Sequence, residues 1–158
     1  MSAGTESTRP MVGVVIGSKT DESLIQPALD TLREFGIEYE FSVISAHRTP
    51  AKAREYGLGV SDRGIEVIIA AAGAAAHLPG VLASWTTIPV IGVPMATSEL
   101  KGQDALYSIV QMPSGVPVAC VGIGGAKNAA LLAAQILGLK YPSISKASEQ
   151  YREKLRKG

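Results

Sequence analysis

The sequence predicts an α/β fold in which a doubly wound parallel sheet lies between two layers of helices. Short apolar segments rich in β-branched residues alternate along the chain with longer segments of helical periodicity. The strand segments are apolar at nearly every position, as in parallel strands buried on both faces. The length of 158 residues fits one domain. With about five strands, the prediction is a three-layer, flavodoxin-like domain followed by a C-terminal helix.

The first strand and helix show this pattern most clearly. Residues 11–16 form a continuous apolar run, and Asp21 is a favourable N-cap for the helix that follows. Gly36 is expected to end that helix. Pro27 lies inside it and removes a backbone donor, so we expect either a kink near Ser23 or a helix that begins later than Asp21.

The alternation of strands and helices continues along the chain. Further strands are expected over residues 39–44, 67–71, 90–93 and 116–122, and further helices over residues 49–62, 75–84, 104–111 and 127–137. Pro50 favours a helix start at its position. Pro117 interrupts the last strand early, because proline cannot donate a hydrogen bond in a sheet.

The two ends of the chain differ from the α/β domain, which we place at residues 11–141. Residues 1–10 are small and polar, lack the apolar core of a signal peptide, and are expected to be a disordered leader. Residues 142–158 form a charged, weakly amphipathic helix. That helix can be solvated on its own domain or can pack on a neighbouring subunit. Residues 126–137 are apolar on nearly all sides of the predicted helix, and a small domain cannot bury that much apolar surface. We therefore expect a homo-oligomer in which the C-terminal helix packs on a neighbouring subunit.

Charge and cysteine content exclude several classes of function. Fifteen basic and 14 acidic residues give a net charge of +1, which offers no electrostatic basis for binding nucleic acid or an anionic membrane. No apolar run is long enough to cross a bilayer. Cys120 is the only cysteine, so an intrachain disulfide is impossible, and we expect it to be an inert part of a buried strand. A cytoplasmic location follows as an expectation.

Three polar loops are predicted to lie at the carboxyl edge of the sheet, where ligands bind in open α/β folds. The first, residues 17–21, can direct backbone N–H groups and the hydroxyls of Ser18 and Thr20 at an anion. Asp21 would repel a phosphate and is better suited to accept hydrogen bonds from a sugar hydroxyl. The alternative is a capped turn without a ligand.

The second loop, residues 45–50, places His47 and Arg48 side by side where no periodicity requires either. Arginine offers a planar fork for phosphate or carboxylate, and histidine exchanges a proton near neutral pH. Ser45 and Thr49 add hydroxyls. The alternative is a solvated arginine with the histidine packed against its stem.

The third loop, residues 72–80, carries the other histidine, His77, and small residues that include Ala72 and Gly73. Small residues permit close approach of backbone to a ligand, although tight packing of helix on sheet would also require them. Two histidines without acidic partners do not favour a catalytic metal site.

From residue 11 to residue 137 the sequence resembles the PurE family, the enzymes of the carboxylation step in purine synthesis. The matching motifs are Gly17-Ser18-x-x-Asp21, Ser45-Ala46-His47-Arg48-Thr49-Pro50, Ala75-Ala76-His77-Leu78-Pro79-Gly80, and residues 106–118 and 128–133. His-Arg-Thr-Pro and His77 are similar to the class I mutase, whereas the class II carboxylase usually has His-Lys-Thr and lacks the Ala-Ala-His-Leu-Pro-Gly string.

The resemblance implies a small-molecule substrate, N5-carboxyaminoimidazole ribonucleotide, whose carboxyl group moves to ring carbon C4. It implies no metal, organic cofactor or ATP, and an octameric assembly. The family's catalytic histidine falls on His47, and its substrate-binding serine, aspartate and arginine fall on Ser18, Asp21 and Arg48. The loop that lines the carboxylate pocket falls on Ala72, Gly73 and their neighbours, with His77 close by.

Two segments depart from the family pattern. Alanines at positions 71 and 74 replace glycines, and each adds a methyl group and restricts φ. If Ala74 faces the carboxylate, the pocket is tighter. The segment of residues 123–128 is two residues shorter than usual, which affects a subunit contact rather than the chemistry.

Three alternatives to the mutase are compatible with the sequence. The same fold can carboxylate aminoimidazole ribonucleotide with free CO2. A non-catalytic nucleotide-binding module has no use for an ionisable His47. A related carboxylating enzyme acting on a different heterocyclic mononucleotide would be favoured by the two alanines, but such enzymes generally carry an additional domain.

Overall fold

The computed structural model describes residues 11–158 and contains a five-stranded, fully parallel sheet. The strands are β1 (Val12–Ile16), β2 (Tyr39–Val43), β3 (Val67–Gly73), β4 (Val90–Met95) and β5 (Ala119–Cys120). Their order in the sheet is β2-β1-β3-β4-β5, so the chain reverses its direction of winding at β1. This confirms the predicted doubly wound fold. The expected leader, residues 1–10, lies outside the described residues.

Within residues 11–158, six α-helices cover the two faces of the sheet. They are α1 (Glu22–Glu34), α2 (Pro50–Gly59), α3 (Leu78–Trp85), α4 (Gln103–Val110), α5 (Ala126–Gly138) and α6 (Pro142–Lys157). Helices α1, α5 and α6 share one apolar core, and α2, α3 and α4 share the other. No helix among residues 11–158 is both long and apolar enough to span a membrane.

The side chains of β1 show how the sheet supplies both cores. Val12, Val14 and Ile16 point to the α1 and α5 face, while Val15 points to the α2 and α3 face, and all four are fully buried. Alternation of side chains along a strand therefore explains why the sequence is apolar at consecutive positions. Because β1 is buried up to Ile16, the polar segment that follows it begins at the edge of the sheet.

Helix α1 corrects one of the two outcomes expected from Pro27, a helix that begins later than Asp21. The helix does not begin late: a short 3-10 turn at Lys19–Asp21 leads directly into α1 at Glu22, and the helix runs unbroken past Pro27 to Glu34. Both Ser23 and Pro27 are exposed, so water can hydrogen bond to the carbonyl group that loses its helical donor. Gly36 follows the helix with a φ of 65°, as a helix-ending glycine should.

The fifth strand is shorter than predicted. Only two pairs, Ile91 with Ala119 and Gly92 with Cys120, join it to β4, whereas residues 116–122 were expected to pair. Pro117 lies at the start of this segment and cannot donate to a neighbouring strand. Cys120 is half-buried on this edge strand rather than fully buried, and burial raises the pKa of its thiol.

Helix α6 packs on its own chain along one side. Ile144 is 4% exposed, Ala147 and Tyr151 pack against the same core, and the Tyr151 ring lies 5.8 Å from that of Phe35. Leu155, on the last turn, remains 60% exposed. The apolar side of α6 therefore packs against the core of its own chain over the first turns of the helix.

Candidate active site

A cavity of about 520 Å³ opens at the carboxyl edge of the sheet, a size typical of small-molecule sites. It is lined by Gly17, Ser18, Thr20, Asp21, Ser45, Ala46, His47, Arg48, Ala72, Gly73, Ala75, Leu78 and Thr97. Eight of the nine residues predicted for the site are therefore brought together. The ninth, His77, is not part of the lining and contacts it through His47.

The loop after β2 holds Arg48 in place through hydrogen bonds to Ser45. The Arg48 backbone N–H and its Nε both donate to Ser45 Oγ, at 3.1 and 3.3 Å, and Thr49 Oγ1 donates to the Ser45 carbonyl at 2.9 Å. No carboxylate among residues 11–158 forms an ion pair with Arg48. Its two Nη groups can therefore bind an external anion.

Positive charge continues outward from Arg48. A second cavity shares Gly17, Ser18, Ser45 and Arg48 with the first and is also lined by Lys19, Val43, Thr49 and Lys52. Among residues 11–158, the lining of this second cavity contains three cations and no carboxylate, and the N-terminus of α2 adds partial positive charge. It is suited to a phosphate group.

The turn after β1 presents hydroxyls and one buried carboxylate. Thr20 Oγ1 donates to Ser18 Oγ at 2.9 Å, and Ser18 also caps the turn by accepting from the Thr20 backbone N–H. Asp21 is only 5% exposed, and burial raises the pKa of its carboxyl group, partly offset by hydrogen bonds from Thr20 and Ser18. Asp21 lies in the same cavity as Arg48 and can accept hydrogen bonds from ligand hydroxyls.

The two histidines form a pair, although 30 residues separate them in the chain. His47 Nε2 and His77 Nδ1 are 2.7 Å apart, and the ring planes meet at 85°. A hydrogen bond at this distance requires one nitrogen to donate and the other to accept, so one proton is shared between the rings. The contact orients the His47 ring, which lines the cavity, and offers it a partner for proton exchange.

The third loop makes a tight turn beside these rings. Ala74 has a φ of 49°, in the left-handed region that favours glycine, and the N–H groups of Ala76 and His77 bond back to the carbonyls of Ala74 and Ala75. As a result α3 begins at Leu78 rather than at residue 75. The turn brings the small side chains of Ala72 and Ala75 to the cavity wall.

Ala71 and Ala74, where the resemblance leads us to expect glycine, do not line the cavity. Ala71 is fully buried in β3, and Ala74 is exposed and absent from the cavity lining. Ala74 instead affects the backbone, since an alanine with positive φ costs of order 1 kcal/mol relative to glycine. Gly73, in contrast, cannot carry a side chain, because its Cβ would lie 1.7 Å from Thr97 Oγ1.

Thr97 was not identified from the sequence. It follows β4, whose carboxyl end lies beside that of β3 through the pairing of Gly73 with Met95. The rule that ligands bind beyond the carboxyl ends of strands was applied to the first three strands only. Applied to β4, the same rule would have identified the segment Ala96-Thr97-Ser98.

A larger groove, about 840 Å³, lies on the helical face near α5 and α6. Its lining includes Leu139, Glu149, Arg152 and Glu153 but no histidine, and Leu139 is 90% exposed. The buried polar residues of the described part of the chain, Asp21 and Thr31, do not line it. The smaller cavity is therefore the candidate active site, because its lining combines His47, Arg48, which has no ion-pair partner among residues 11–158, and the buried carboxylate of Asp21.

Similarity to known proteins extends over nearly the whole chain. A family model described as AIR carboxylase matches residues 11–158. A Thermotoga maritima protein named N5-carboxyaminoimidazole ribonucleotide mutase is 55% identical over 148 residues, which cover 94% of this chain and 86% of that protein. A protein of the same name from Saccharolobus solfataricus is 55% identical over 147 residues, 93% of each chain. The crystal structure of Treponema denticola PurE has a TM-score of 0.82 at 33% identity and covers 94% of this chain and 93% of its own.

Proposed function

This chain belongs to the AIR carboxylase family, and on that premise we propose that it is an N5-carboxyaminoimidazole ribonucleotide mutase of purine biosynthesis. The observation that carries the proposal is the cavity that His47 lines together with Arg48, which has no ion-pair partner among residues 11–158, and the small residues Ala72 and Gly73. An isomerase that moves a carboxyl group needs an anchor for the nucleotide, a proton-transfer group and a place to hold CO2.

Each part of the cavity is assigned to one part of the substrate. Arg48, with Ser18 and Ser45, binds the phosphate at the positively charged end. Thr20 and Asp21 bind the sugar, where a carboxylate that would repel phosphate can accept from hydroxyl groups. The imidazole ring then lies beside His47, and its carboxyl group lies against Ala72 and Gly73.

His47 transfers the proton in both halves of the reaction. When the N–C bond to the carboxyl group breaks, its electron pair stays on nitrogen, CO2 is released, and protonated His47 gives that nitrogen a proton. The aminoimidazole then attacks CO2 through C4, and neutral His47 removes the C4 proton. No proton is consumed overall, and general acid–base catalysis of this kind contributes about 10²–10⁴-fold. His77 is assigned the role of orienting the His47 ring.

Spectroscopic assay of the purified full chain with N5-carboxyaminoimidazole ribonucleotide tests this proposal. We expect conversion to the 4-carboxy product without ATP and with bicarbonate kept low. A parallel reaction starts from aminoimidazole ribonucleotide and bicarbonate, the substrates of the carboxylase alternative. Product formation from the second pair alone, or binding without turnover of either, would contradict the mutase assignment.

We also propose a cytoplasmic homo-octamer. His47, Arg48, His77 and Thr97 are exposed in the single chain, so the dry pocket that CO2 transfer needs is not closed by this chain alone. Exposed Leu139 and Leu155, together with the groove along α5 and α6, provide apolar surface for contacts between subunits. Sedimentation velocity at micromolar concentration is expected to give an octamer, and a stable, fully active monomer would contradict this assembly.

Cell fractionation tests the location.

A further inference from the structure

Thr97 lies where the side chain of residue 73 would otherwise be. Its Oγ1 is 1.7 Å from the position that a Cβ on Gly73 would take, so the hydroxyl rests directly against the Gly73 backbone. The parallel pairing of Gly73 with Met95 brings the ends of β3 and β4 together and thereby fixes this contact. Thr97 consequently forms one wall of the cavity beside the turn of small residues.

Among residues 11–158, the Thr97 hydroxyl differs from the other hydroxyls of the cavity in having no hydrogen-bond partner. Ser18 and Thr20 bond to each other, and Ser45 accepts two hydrogen bonds from Arg48. Within residues 11–158, Thr97 Oγ1 makes no hydrogen bond. Its proton is therefore available to a ligand.

In the described part of the chain, the wall beside Gly73 otherwise carries no side-chain donor. The lining residues there have apolar side chains or, for glycine, no side chain: Ala72, Gly73, Ala75 and Leu78. A carboxylate bound against them loses hydrogen bonds to water at both oxygens, which is unfavourable unless a protein donor replaces them. We propose that the Thr97 hydroxyl donates a hydrogen bond to the migrating carboxyl group and holds it beside C4. This assignment rests on the proposed mutase function and adds a specificity residue to it.

The hydroxyl acts without exchanging its own proton. It donates to a carboxylate oxygen of the substrate, remains beside the CO2 oxygen after the N–C bond breaks, and donates again when the C4–C bond forms. His47 carries the proton that nitrogen gains and takes the one that C4 loses. Thr97 thus favours attack by C4 over escape of CO2, which would leave free aminoimidazole ribonucleotide.

Three substitutions of Thr97 distinguish the effect of the hydroxyl from the effect of side-chain size. Thr97→Ala removes both the hydroxyl and the methyl group, Thr97→Val replaces the hydroxyl by a methyl group, and Thr97→Ser keeps the hydroxyl. The substrate carries ¹³C in its carboxyl group, and the buffer contains unlabelled bicarbonate. We expect Thr97→Ala and Thr97→Val to lose about 10- to 100-fold in kcat/KM, the effect of one hydrogen bond to a charged group. Both should also release aminoimidazole ribonucleotide and lose label, whereas Thr97→Ser should retain label like the wild type.

Calorimetric binding of the carboxylated and uncarboxylated ribonucleotides provides a second measurement that needs no turnover. Thr97→Ala is expected to weaken binding of the 4-carboxy compound and to leave binding of aminoimidazole ribonucleotide unchanged. Wild-type label retention and binding in Thr97→Ala, or equal losses in Thr97→Ser and Thr97→Ala, would overturn the role of the hydroxyl. If wild-type protein forms no product, the proposed function fails and the role of Thr97 fails with it. If wild-type protein forms product and Thr97→Ala matches it in label retention and binding, only the role of Thr97 fails.

Discussion

Replacing His47 with asparagine is expected to lower kcat by about 10³–10⁴-fold, the upper part of the range for general acid–base catalysis. Asparagine keeps a polar side chain, but it is too short to replace His47 Nε2 in the contact with His77, and it cannot release or accept a proton near neutral pH. Because His47 is assigned to both proton transfers, both halves of the reaction lose their acid–base group. The measurement is steady-state turnover of N5-carboxyaminoimidazole ribonucleotide, with a no-enzyme reaction to subtract spontaneous loss of CO2.

Binding distinguishes lost chemistry from a damaged site. The dissociation constant of the 4-carboxy product, measured by calorimetry, should change by less than about tenfold in His47→Asn, since phosphate and sugar contacts remain. His77→Asn is the matched control, because it removes the partner ring and leaves His47 in the cavity. It should lose less turnover than His47→Asn. Near-normal turnover in His47→Asn would refute the assigned role.

Replacing Arg48 with alanine is expected to lower kcat/KM by about 10²–10³-fold, mainly through KM, because two hydrogen bonds to a charged phosphate are lost. Ser45 already holds Nε, so the two Nη groups form the free fork. Remote binding energy also positions the imidazole ring, and we therefore expect a smaller fall in kcat. Initial rates over a range of substrate concentrations separate the two constants.

Two further variants identify what the guanidinium supplies. Arg48→Lys keeps the charge but loses the planar fork, and should fall between wild type and alanine. Lys52→Ala removes a cation from the outer cavity and should raise KM only slightly, with an effect that disappears at high salt. An unchanged KM in Arg48→Ala would exclude Arg48 as the phosphate anchor.

Local sequence patterns predicted most of the fold because they depend on neighbouring residues. Apolar runs located all five strands, and the cores on both faces of the sheet explain why those runs are continuous. Errors occurred at boundaries where a backbone detail outweighs the pattern. Pro27 was tolerated because its helix face is exposed, and the left-handed backbone of Ala74 delayed the start of α3.

The sequence by itself determined which residues lie in the loops at the sheet edge, and so identified His47, Arg48, Asp21 and His77 as candidates. Turn chemistry and strand position are local properties, and the loop after each parallel strand must emerge at the same edge. Only the tertiary structure decided which of these side chains touch. The 2.7 Å contact between His47 and His77 and the position of Thr97 against Gly73 depend on strand order and register, which bring distant segments together.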